Sequence, residues 1–263
     1  MRPVPFPVHG LEHGMAVRTR GGGSRTLVWI HGLGESGRCF DAIAGHPHLW
    51  PYRHVVPDLP GYGRSPWVAM ARGLDATADE LAGWLRARDE DAVVIGHSLG
   101  GVLATLVAER HPDVVRGVID VEGNVSAGDC VFSSQFAAMT ETEFTSGGFV
   151  RLWNQLYAEA ADDAALRGYA ASMAFCDPFQ LWRHATELVE VSRGETLAAR
   201  RAKLPVPFLF LAGAPGGICD RSRALLGEAG VRVSDITPAG HWPYVDQPEP
   251  FAEAVARFVE ALG

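Results

Sequence analysis

Apolar positions along the chain follow two rhythms that take turns. Unbroken runs at Thr26-Leu27-Val28-Trp29-Ile30, Ala92-Val93-Val94-Ile95, Gly117-Val118-Ile119 and Pro207-Phe208-Leu209-Phe210-Leu211 are what strands covered on both faces require. A weaker run lies at Val231-Arg232-Val233. Between them, Ala78, Leu81, Ala82 and Leu85 recur at helical spacing within 77–88, and Phe251, Ala254, Val255 and Phe258 do so within 248–262. The stretch from Leu99 to Arg110 starts nearly all small or apolar, so it predicts a buried helix. Strand-type and helix-type segments in alternation predict an α/β fold around a mostly parallel sheet with helices on both faces. Gly21-Gly22-Gly23-Ser24, between two short extended stretches, reads as a hairpin turn.

One region breaks the alternation. From Asn124 to about Lys203 there are helix-like stretches, no convincing strand and ten aromatic residues. Eighty residues without structure are implausible in a compact domain, so this region is expected to be a helical cap on the sheet. The expected division is a core of 1–123 and 204–263 with the cap insertion at 124–203.

Composition narrows the function. The chain has 263 residues, 47% of them apolar, and a formal net charge of −8 with no basic run, which disfavours nucleic-acid binding. The proline-rich start has no apolar core of a signal peptide, and the longest apolar stretch, Leu204 to Ala214, contains two prolines and is too short to span a bilayer. Cys39, Cys130, Cys176 and Cys219 are scattered without CxxC spacing, which fits a reducing compartment better than a disulfide framework or zinc site. A soluble cytoplasmic protein without a membrane partner is expected, with monomer and homodimer both open.

The strongest chemical signal is Gly96-His97-Ser98-Leu99-Gly100, between a strand and a helix. Glycines on both sides of a serine permit a sharp strand-to-helix turn that lifts the Ser98 hydroxyl above the sheet edge. His31-Gly32-Leu33-Gly34 ends an earlier strand, so the Leu33 and Leu99 amides together can form an oxyanion hole. Gly240-His241-Trp242 follows the last strand, where a histidine can reach the serine as its base. His31 and His97 flank the glycine motifs and are read as supporting residues, while His46, His48, His54, His111 and His184 are read as loop or solvent residues.

With these motifs assembled, the chain resembles the α/β-hydrolase superfamily from about Gly10 to its C-terminus. The resemblance rests on His31-Gly32-Leu33-Gly34, Asp58-Leu59-Pro60-Gly61-Tyr62-Gly63-Arg64-Ser65, Gly96-His97-Ser98-Leu99-Gly100-Gly101 and Gly240-His241. It implies the α/β-hydrolase fold with a helical cap, Ser98 as nucleophile, His241 as base, the Leu33 and Leu99 amides as oxyanion hole, and a structural role for Asp58.

The acid departs from the family pattern. Many members carry an aspartate about three residues after the glycine ending the penultimate strand, and here that segment reads Gly213-Ala214-Pro215-Gly216-Gly217-Ile218-Cys219-Asp220. Asp220 is displaced and also suits a helix cap. A subset of the superfamily places its acid at the end of the strand after the nucleophile, where Glu122 stands 24 residues beyond Ser98. A carboxylate there is hard to explain as core packing, because burying it unpaired is costly. Glu122 is the favoured acid, with Asp220 and Asp120 as rivals.

Phe132, Phe136, Phe144, Phe149, Trp153, Tyr157, Tyr169, Phe175, Phe179 and Trp182 supply the cap with an aromatic face. Together they predict an apolar pocket, with Phe40, Trp242, Trp153 and Phe136 as candidate walls. The resulting expectation is a serine hydrolase acting on a carboxylic ester or lactone of a small to medium apolar substrate, without metal or organic cofactor. C–C, amide or thioester hydrolysis, lyase or acyl-transfer chemistry, and a non-catalytic receptor, stay open as alternatives, because lid and surroundings decide the reaction.

Overall fold

The computed structural model describes residues 8–88 and 92–263. Eight strands form one sheet: β1 (Val8–Glu12), β2 (Met15–Arg20), β3 (Thr26–Ile30), β4 (Arg53–Pro57), β5 (Ala92–His97), β6 (Gly117–Val121), β7 (Phe208–Gly216) and β8 (Val233–Gly240). Their spatial order is β1-β2-β4-β3-β5-β6-β7-β8. β2 runs antiparallel to both β1 and β4, and every other pairing is parallel.

The central strands are buried along their whole length because both faces are covered. Alternation divides their side chains between two cores. Val28, Ile30 and Val94 face one core, with α1 (Leu74–Arg88) and α2 (Leu99–Arg110). Leu27, Trp29, Val93 and Ile95 face the other. Between β6 and β7 lie α3 (Ser133–Ala137), α4 (Glu141–Glu143), α5 (Phe149–Glu159), α6 (Ala164–Met173), α7 (Pro178–Arg193) and α8 (Leu197–Ala202). α9 (Asp220–Glu228) links β7 to β8, and α10 (Pro243–Asp246) leads into α11 (Pro248–Glu260), whose Phe251, Val255 and Phe258 fill the second core.

The hairpin expected at Gly21–Ser24 is not one. β2 and β3 do not pair, since β4 lies between them. The glycines serve close passage instead: a Cβ at Gly23 would collide with the Pro51 carbonyl. The tight hairpin joins β1 to β2 through His13 and Gly14, both at positive φ (48° and 78°). That is the conformation a two-residue turn between twisted strands requires.

Two histidines read as loop residues are buried. His54 accepts the Trp29 indole N–H at 3.1 Å, and His184 bonds Tyr62 at 2.9 Å and Thr77 at 3.0 Å. Burial holds His184 down to about 3 and His54 to about 4, so both are neutral polar links at physiological pH.

Candidate active site

Ser98 is the single residue between β5 and α2, and its backbone is left-handed (φ 53°, ψ −118°). Such a conformation is strained for a non-glycine residue. It is held by the sheet, which continues one step past β5 where the Ser98 N–H donates to the Val121 carbonyl at 2.9 Å. The flanking glycines permit close contact on either side: a Cβ at Gly96 would run into the Gly100 carbonyl, and one at Gly100 into Ile30.

One strand over, Glu122 repeats the device. It follows β6 with φ 55°, and its N–H donates to the Leu211 carbonyl at 3.0 Å. Its carboxylate is 1% exposed. Oε1 accepts the Gly213 N–H at 2.7 Å, and Oε2 lies 3.3 Å from His241 Nδ1. His241 follows β8, where the Gly240 N–H donates to Asp246 at 2.8 Å.

The rival acids are engaged elsewhere. Asp220 is the first residue of α9, behind Cys219 at the cap position. Asp120 forms a fully buried ion pair with Arg201 of α8 at 2.6 Å and accepts the Gly123 N–H at 2.9 Å. The same arginine donates to the Asn124 carbonyl at 3.0 Å, tying the end of β6 to α8. Asp58 accepts the Gly37 and Arg64 N–H groups, both at 2.8 Å, and so braces the loops after β3 and β4. His31 accepts the Leu59 N–H at 3.0 Å.

Gly32, Leu33, Ser98, His241 and Trp242 line one small cavity of about 20 Å³. Asn124, Asp129, Phe132, Ser133, Tyr169 and Leu188 complete it from the cap side, and Glu35 and His97 close its base. Of the four expected walls only Trp242 is there. Phe40 is fully buried on the opposite face of the sheet, with its ring 5.2 Å from Trp29 and 5.3 Å from Tyr244. Phe136 packs on Phe144 at 5.5 Å, and the Trp153 indole donates to the Ala170 carbonyl at 2.7 Å, so both hold the cap helices together. Apolar spacing cannot tell a residue packing the cap internally from one facing the serine, which is why these assignments shifted.

Phe132, Tyr169 and Trp242 form an aromatic wall, with ring centroids 4.9 to 6.3 Å apart. Beyond it lie two larger clefts of about 370 and 380 Å³, and Trp242 borders both. The buried Tyr169 hydroxyl finds no hydrogen-bond partner. It sits over the oxyanion loop, since a Cβ at Gly34 would lie 2.8 Å from it.

Sequence reasoning overlooked Glu35. This residue is 2% exposed and accepts from the Gly32 N–H (2.7 Å), the His97 ring (2.9 Å) and the Trp242 indole (2.7 Å). Burial alone would raise its carboxyl pKa, but His97 and these donors outweigh that and hold it at about 2. The one available signal was an acidic residue directly after a glycine-rich strand end.

Residues 27–254 match the model of the alpha/beta hydrolase family. A pimeloyl-[acyl-carrier protein] methyl ester esterase of Edwardsiella ictaluri is 30% identical over 92% of this chain and 96% of its own length. A counterpart from Pectobacterium carotovorum is also 30% identical, over 93% and 98%. Among solved structures, an aryl esterase from Burkholderia cenocepacia superposes with a TM-score of 0.76 at 21% identity, covering 97% of this chain and 98% of that one. A haloalkane dehalogenase from Agrobacterium tumefaciens does so equally well (TM-score 0.76, 19% identity, 98% and 97% covered), so that likeness speaks for the fold alone. The chain belongs to the alpha/beta hydrolase family and is an enzyme of the ester-hydrolase type.

Proposed function

We propose that Ser98, His241 and Glu122 act as nucleophile, general base and orienting acid in the hydrolysis of a carboxylic ester or lactone of a small to medium apolar compound. The observation that carries this reading is the shared cavity of Ser98 and His241, with the buried Glu122 carboxylate behind the imidazole at 3.3 Å.

Glu122 Oε2 accepts from His241 Nδ1–H, so the tautomer leaves Nε2 free to take the Ser98 proton. Ser98 Oγ attacks the ester carbonyl, and the developing oxyanion lies against the Leu33 and Leu99 amides. Leu99 opens α2, where the first backbone N–H groups lack intrahelical partners and the helix dipole favours negative charge. The imidazolium of His241 then protonates the leaving alcohol. In the second half His241 takes a proton from water, the hydroxide attacks the acyl-enzyme, and Ser98 recovers its proton as the acid leaves.

The helical segment between β6 and β7 serves as the cap over this chemistry. A tight cavity at the serine favours a compact group there, and the Edwardsiella relative, named for a methyl ester, supports a small alcohol as leaving group. The four unpaired cysteines support work in the reducing cytoplasm.

The test is hydrolysis of p-nitrophenyl acetate and butyrate by the wild type and Ser98→Ala, with a fluorophosphonate label. Turnover and labelling that both vanish in Ser98→Ala bear the reading out. Ester turnover that persists in Ser98→Ala overturns it.

A further inference from the structure

We propose that Glu35 and His97 form a buried carboxylate–imidazolium pair that acts as the positioning element of the site, locking the oxyanion loop and the histidine loop to the nucleophile elbow. The inference rests on the reading of Ser98 and His241 given above.

The charge state follows from the partners. His97 is 1% exposed, with Nδ1 2.9 Å from Glu35 Oε2 and Nε2 2.8 Å from the main-chain carbonyl of His241. A carbonyl oxygen only accepts, so Nε2 carries a hydrogen. Glu35 Oε2 already accepts the Gly32 N–H and Oε1 accepts the Trp242 indole N–H, which favours the ionised carboxylate and leaves it as acceptor for Nδ1–H. A histidine that donates from both nitrogens is protonated.

The surroundings agree. Tyr244 stands edge-on to the ring at 5.2 Å, with its hydroxyl 3.4 Å from Nδ1 and 3.5 Å from Glu35 Oε1. Cys39 approaches the same carboxylate at 3.8 Å. Other titratable neighbours are His241, its ring 4.8 Å away, Glu122, whose charge favours the imidazolium, and His31, whose pKa it lowers. Burial opposes protonation of His97, but Glu35 prevails and raises its pKa.

Three chain segments meet on this pair. Gly32 precedes the oxyanion amide of Leu33, His97 precedes Ser98, and His241 with Trp242 carries the base and the cavity wall. Both residues also reach the cavity surface. A neutral His97 has a single N–H, so one of its two anchors turns from attraction to repulsion between lone pairs. Alkaline pH is therefore expected to loosen the base loop without touching the reacting atoms.

The test pairs nitrogen-15 NMR of the His97 ring with the rate of fluorophosphonate labelling of Ser98, across pH, in wild type and Glu35→Gln. Labelling reads the nucleophile whatever ester the enzyme prefers, so failure of the substrate reading leaves this test intact. Two ring N–H groups are expected on His97 of the wild type at neutral pH. In Glu35→Gln the labelling rate at saturating reagent is expected to fall on the order of 10²-fold, the loss typical of a small misplacement of reacting groups. Half-saturation should stay unchanged, the alkaline limb should move to lower pH, and Glu35→Asp should recover part of the rate. A single N–H on wild-type His97 at neutral pH overturns the proposal, even if the variants do not fold. So does Glu35→Gln labelling with the rate and pH profile of the wild type.

Discussion

Glu122 accepts the Gly213 N–H through one carboxylate oxygen at 2.7 Å while the other faces His241, so the acid is braced by the neighbouring strand at the place where relatives with the commoner pattern carry their own acid. A carboxylate held by a backbone donor keeps its orientation when the histidine becomes charged. Glu122→Gln retains the shape but not the charge, and the histidine tautomer is no longer dictated. Its kcat for p-nitrophenyl butyrate is expected to fall by roughly 10³- to 10⁴-fold, by analogy with the loss of such a carboxylate in serine proteases. Asp220→Asn should stay within a few-fold of the wild type.

The glycine run after β7 is the counterpart of that arrangement. A Cβ at Gly217 would overlap Glu122 Oε1 and the Gly213 carbonyl. Gly217→Ala must push the carboxylate from His241 or the strand end from its place. A stability loss of about 1–3 kcal/mol in urea titration is expected, together with reduced kcat.

Arg201 and Asp120 form the buried link between α8 and the end of β6. Arg201→Met leaves the Asp120 charge buried without its partner, at an expected cost of about 3–5 kcal/mol in denaturant unfolding. Adding Asp120→Asn should restore part of it, because the uncompensated charge is then gone.

Glu35 has a depressed folded-state pKa of about 2, so its contribution to stability is complete above the unfolded carboxylate range and is lost as pH falls toward 2. His97 has a raised pKa, so its contribution is complete below the ordinary histidine range and is lost as pH rises through the raised value. The stability gap between wild type and Glu35→Gln is therefore expected to be widest near pH 5–6, narrowing on either side, as read by urea titrations across pH.

Tyr169 presents a buried hydroxyl without a partner beside the oxyanion loop. Tyr169→Phe is expected to leave the melting temperature nearly unchanged and to raise KM for esters with a polar group near the carbonyl. KM for p-nitrophenyl acetate should be the same in both proteins.

The parallel strands were legible because double burial writes an unbroken apolar run, as in Thr26–Ile30. The elbow was legible because its glycines answer local steric demands. β4 was marked less by periodicity than by the Asp58–Ser65 turn after it. The Gly21–Gly23 segment misled because close passage over Pro51 and a hairpin call for the same residue. Phe40 and Phe136 misled because apolar burial looks alike in a core and a pocket. Glu35 escaped notice because its partners lie up to 207 residues away, and a local pattern carries no trace of such contacts.

The acid's location has a consequence for the order of the chain. Ser98 and Glu122 lie at the ends of neighbouring strands joined by α2, before the cap begins, and only His241 comes after it. The nucleophile and acid thus belong to one local strand–helix–strand unit. Insertions, deletions or repacking between β6 and β7 leave their mutual distance alone and reach the catalytic geometry through the histidine loop. The cap is consequently free to diversify as a substrate-selecting module, with a single junction, at β8, left to keep in register.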